Sequence, residues 1–81
     1  MNGERWFTPE ITIVHPAPEG EDVDLLERSE WITHAPYMNK AKAVAWVKAE
    51  LPKYSHAISG RVLKTIEGNH DFEEEVFYLE A

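Results

Sequence analysis

An α+β domain with the chain order β-β-α-β-β is what this sequence predicts, on three observations. Residues 39–51 carry a helix start at Asn39 and a helix stop at Pro52. The segments before and after that helix are rich in β-branched and aromatic residues, the composition of strands. The length, 81 residues, admits a single small core. One helix packed on one face of an antiparallel or mixed four-stranded sheet hides the apolar stripes economically, and leaves the other face wetter. Residues 1–81 are therefore read as one domain.

Residues 6–15 form the first expected strand, with Phe7, Ile11 and Ile13 on one parity. Pro9 has no amide to give to a ladder, which places the beginning of this strand at an edge or a bulge. The run His15-Pro16-Ala17-Pro18-Glu19-Gly20-Glu21-Asp22 breaks regular structure and reads as a hydrated connector. Residues 23–33 read as a second strand with an irregularity at Leu25-Leu26, where alternation fails. The competing reading there is a short helix over residues 22–28.

In the helix, the Asn39 side chain can accept from a free first-turn amide, and Met38 is placed to pack on Ala43 as a hydrophobic staple. At roughly 100° per residue, Ala41, Val44, Val47 and Leu51 form an apolar stripe. Trp46 projects off that stripe, either as a cap on the core under the loop of residues 19–30 or as an exposed anchor. Residues 55–67 form the clearest strand, with Ile58, Val62 and Ile66 on one parity and Ser59, Arg61, Thr65 and Glu67 on the other. Gly68-Asn69-His70-Asp71 supplies a turn, and residues 72–79 close a hairpin in which Arg61 or Lys64 can lie opposite a glutamate.

Charge is the second organising feature. The chain has 15 acidic and 8 basic residues, a net charge of −7, and 43% hydrophobic residues, so it is a packed domain with an anionic exterior. The acids concentrate in two segments: Glu19, Glu21, Asp22, Asp24, Glu27 and Glu30 before the helix, and Glu67, Asp71, Glu73, Glu74, Glu75 and Glu80 at the end. Such a surface opposes phosphate, so direct binding of nucleic acid is not expected. It suits a protein partner with a basic surface.

Catalytic and metal chemistry find little support. There is no cysteine; His15, His34, His56 and His70 show no metal-ligand spacing, and the one local cluster, His70, Asp71, Glu73 and Glu75, reads as turn and strand residues in water. Ser55-His56, on a strand, would point its two side chains apart. The glycines Gly3, Gly20, Gly60 and Gly68 form no phosphate loop. We therefore expect no enzyme, no cofactor and no metal. No apolar run approaches the roughly 18 residues of a membrane span, and the first residues carry no secretion signal, so the expected setting is cytoplasmic with no membrane partner.

The helix Asn39-Lys40-Ala41-Lys42-Ala43-Val44-Ala45-Trp46-Val47-Lys48-Ala49-Glu50-Leu51, followed by Ala57-Ile58-Ser59-Gly60-Arg61-Val62 and a closing hairpin, resembles small phage-encoded proteins, among them anti-CRISPR inhibitors. These proteins share no motif, so no residue role carries over. The resemblance implies a function class: a compact acidic protein that blocks a nucleic-acid-handling host complex, in the host cytoplasm. The residues assigned to partner binding are Trp46, Glu73, Glu74, Glu75, Asp22, Asp24 and Glu27, the acids steering and an aromatic such as Trp46, Trp31 or Tyr78 anchoring. The alternative is a cellular accessory or assembly domain acting through an open sheet edge or a homodimer. A metal-binding or enzymatic domain is the third reading.

Overall fold

The structure is a computed structural model that describes residues 5–66 and 69–81. Its elements follow the expected order: β1 (Arg5–Val14), β2 (Ser29–Thr33), α1 (Lys40–Glu50), a 3-10 turn (Leu51–Lys53), β3 (Ala57–Ile66) and β4 (Asn69–Glu80). The four strands form one antiparallel sheet in the spatial order β2-β1-β3-β4. Because β2 and β3 both run antiparallel to β1, they run parallel to each other. A parallel relationship needs a long crossover. The connection containing α1 supplies it and lays the helix across β1 and β3 on one face.

Pro9 sits in an inner strand, yet at a local edge. Toward β3 it faces Val62. Toward β2 the ladder stops at Glu10–Thr33, and the segment between β2 and α1 joins β1 through His34 N donating to the Pro9 carbonyl and a bridge between Phe7 and Tyr37. The missing proline amide falls where the neighbouring strand has already broken.

The second strand is shorter than its sequence suggests. Only Ser29–Thr33 pair with β1. The backbone amide of Arg28 donates to the carbonyls of Asp24 and Leu25, and that of Ser29 to Leu26, so residues 25–28 curl into a turn. Arg28 holds it in place by donating Nε to the Val23 carbonyl and Nη1 to the His15 carbonyl. The irregularity expected at Leu25-Leu26 is thus the end of the connector, and neither a strand over residues 23–28 nor a helix forms.

Asn39 caps α1 as expected, its Oδ1 accepting from Ala41 N at 2.7 Å and Lys42 N at 3.3 Å. Pro52 ends the helix, and the chain tightens into the 3-10 turn. The buried face differs from the expected stripe. Ala43, Val47 and Leu51 are buried, Val44 and Trp46 are half-buried on either flank, and Ala41 is exposed. At roughly 100° per residue this is a rotation that brings Trp46 toward the sheet and carries Ala41 away. Met38 is exposed and supplies no buried staple.

The rotation follows from β3. Gly60 lies beneath Val47, and a Cβ on Gly60 would collide with Val47 Cγ1. This glycine lets the helix backbone settle on the sheet. Around the contact, Ala43, Val47 and Val62 pack with Phe7, Tyr37, Val76 and Phe77, while Ile11, Ile13 and Leu51 pack with Ile32, Tyr54, Ala57 and Leu79. Trp46 touches both groups.

Bulges in β3 and β4 reset the alternation. Thr12 pairs with Ser59 and Ile13 with Ala57, so Ile58 is the extra residue; it is 50% exposed and not on the core row where strict parity put it. In β4, Val62 pairs with Phe77 and Leu63 with Glu75, which makes Val76 the extra residue and turns both Val76 and Phe77 to the helix. Strand β4 begins at Asn69, so Asn69, His70 and Asp71, expected in the turn, belong to the strand. Glu67 and Gly68 lie outside the described residues.

Candidate protein-binding surface

The face of the sheet turned away from α1 is built by the second parity of each strand. In antiparallel register, one row across it reads Thr33, Glu10, Arg61, Tyr78 and the next reads Trp31, Thr12, Ser59, Glu80. Leu63 faces Glu75 and Thr65 faces Glu73 farther along. Trp31 and Tyr78 remain 46% and 52% exposed. Neither the helix nor another described element covers this face.

A polar chain crosses it from edge to edge. Glu10 Oε1 accepts from Arg61 Nε at 2.9 Å and Nη2 at 2.8 Å, and Glu10 Oε2 accepts from Thr33 Oγ1 at 3.1 Å. The other side of the guanidinium reaches Glu75, Nη1 to Oε2, at 4.0 Å. Side-chain exposure is 14% for Glu10 and 38% for Arg61, so the pair is largely withdrawn from water and geometrically fixed. Its first consequence is structural, since it ties all four strands together.

Glu73–Glu75 and the acids of the connector fall at opposite ends of this sheet, with Glu80 at the connector's end. Glu73 lies opposite Thr65, which pairs with Trp6 near the start of β1; the connector bearing Asp22, Asp24 and Glu27 leaves from Val14 at its end. Eight residue steps of roughly 3.3 Å separate them by about 26 Å. Asp22, Asp24 and Glu27 are exposed, as are Glu73, Glu74 and Glu75. Glu73 and Glu75 share the open face with Arg61, whereas Glu74 is opposite Lys64 on the other side. The glutamate run is therefore split between faces, and Arg61 does meet one glutamate across the hairpin.

Trp46 is not on this surface. It is half-buried against the core, with the His34 ring at 5.3 Å and His34 itself stacked on Tyr37 at 4.9 Å. Its cover comes from His34, in the segment between β2 and α1. The residues unrecognised from sequence are Glu10 and its pairing with Arg61; a carboxylate in an otherwise apolar strand was the available signal, but its partner is 51 positions away.

His15, His34 and His56 serve local contacts. His15 Nε2 lies 2.9 Å from Glu30 Oε1, and its ring meets the edge of His56 at 6.2 Å. Ser55 and His56 stand in a turn before β3, where His56 takes a φ of 66°, and not on the strand expected for them. Among the described residues no group of three or more His, Asp or Glu side chains is placed to hold a metal ion. The cluster considered above includes His70 and Asp71, whose side chains lie outside the described residues. No helix among the described residues is long and apolar enough to cross a membrane.

Comparison with known proteins gives no match to a family model, to a curated protein or to a solved structure.

Proposed function

We propose that the protein is a non-enzymatic binding module for a basic protein surface, acting as an inhibitor of a nucleic-acid-handling complex in the manner of the anti-CRISPR class it resembles. The observation that carries this reading is the charge layout: exposed carboxylates stand at both ends of a body 57 × 26 × 17 Å in extent, with an uncovered, aromatic-bearing sheet face between them. Long-range attraction from the two ends accelerates encounter with a cationic groove, and exposed aromatics supply short-range contact. Pairing of two copies along β4 is less favourable, because Glu73, Glu74, Glu75 and Glu80 would bring like charges together.

The test is affinity capture from the native host at low salt, followed by competition. The expected result is a nucleic-acid-binding complex that is released by salt and whose nucleic acid displaces the protein. Replacement of Glu73, Glu74 and Glu75 by lysine slows association with that complex while leaving the fold intact. Unchanged association at low salt, or simultaneous binding of protein and nucleic acid, overturns the reading.

A further inference from the structure

We infer that the open sheet face between Trp31 and Tyr78 is the docking site for an extended, arginine- or lysine-bearing segment of the partner protein. This rests on the reading of the molecule as a binder of basic protein surfaces, and names the place and mode of contact.

The trough is set by the register. Trp31 stands on β2 and Tyr78 on β4, three strand spacings or about 14 Å apart across the sheet and two residues or about 7 Å apart along it, so that between them lie Thr12 and Ser59 of one row and the Glu10–Arg61 pair of the next. Two half-exposed aromatic residues thus stand at diagonal corners of a floor made of Thr12, the buried Ser59 and the Glu10–Arg61 pair. That width accommodates an extended chain with its side chains, and the rings offer π faces to a cation.

Charge selects the occupant. Along the strand rows of this face stand Glu10, Glu73, Glu75 and Glu80, against Arg61 as the one cation among the described residues. Arg61 and Thr33 already engage Glu10, whereas Arg61 reaches Glu75 only at 4.0 Å, so the exposed Glu75 and Glu80 keep capacity for an incoming guanidinium or ammonium. The same charge balance disfavours a second copy of this chain and a nucleic-acid strand. A cationic protein segment is the occupant whose chemistry matches both the rings and the carboxylates.

The experiment is NMR titration of the unaltered protein with a short peptide alternating arginine and threonine, compared with the same peptide carrying glutamate for arginine. The expected result is selective shifts of the Trp31 indole and the Thr12, Ser59 and Tyr78 amides with the arginine peptide only. Changing Trp31 and Tyr78 together to alanine weakens that binding about tenfold or more, with the fold checked by amide dispersion. Shifts confined to Glu73, Glu74 and Glu75 or to residues 19–27 overturn the trough while leaving a basic partner in place. Absence of any shift with the arginine peptide overturns both the trough and the cation-binding reading beneath it. Self-association that protects Trp31 overturns the assignment in favour of a second copy.

Discussion

Val47 of α1 rests directly on Gly60 of β3, and there is no room between them for a methyl group. Gly60→Ala therefore forces the helix off the sheet or Val47 out of its rotamer. We expect a loss of about 1–3 kcal/mol in urea denaturation, the usual scale of overpacking. Combining Gly60→Ala with Val47→Ala should recover part of that loss, because the second change opens the space the first one fills.

Glu10 and Arg61 should be energetically coupled beyond an exposed ion pair. A double-mutant cycle with Glu10→Gln and Arg61→Met is expected to give about 1–2 kcal/mol of coupling, above the few tenths typical of fully exposed pairs, because Glu10 is largely buried and held through both oxygens. Chemical denaturation of the four proteins measures it. A coupling near zero would reduce the pair to a geometric coincidence.

Val62 and Ile58, two positions of the same parity in β3, should respond differently to truncation. Val62→Ala removes buried volume beneath Ala43 and Val47 and is expected to cost about 2 kcal/mol. Ile58→Ala acts on the half-exposed residue of a bulge and is expected to cost less than about 1 kcal/mol. Thermal or urea unfolding of the pair separates bulged from regular register.

What was legible in the sequence was local. Asn39 and Pro52 mark the helix ends because capping and the loss of a proline amide act over a few residues. The four strands and their order along the chain follow likewise from composition and turns. The face that α1 buries was legible only in part: Val47 and Leu51 of the expected stripe are buried and Val44 is half-buried, but alanines occur on every side of the helix and leave its rotation open; Gly60, a residue of another element, decides it. The same holds for the bulges at Ile58 and Val76, which shift parity by one residue without altering composition. Glu10 and Arg61 become neighbours only once β1 and β3 are known to be adjacent. Of the residues assigned to binding, the acids are exposed, and Trp46, for which a core cap and an exposed anchor were both open, is half-buried against the core.

The position of β1 inside the sheet bears on how the chain is made. During synthesis it can pair first with β2, through Glu10 and Thr33, which are 23 residues apart, while its other side waits for Arg61, 51 residues downstream of Glu10. Loop closure over such spans is slow compared with helix formation. A nascent chain thus carries an unsatisfied apolar ribbon until the β3–β4 hairpin emerges and closes the sheet.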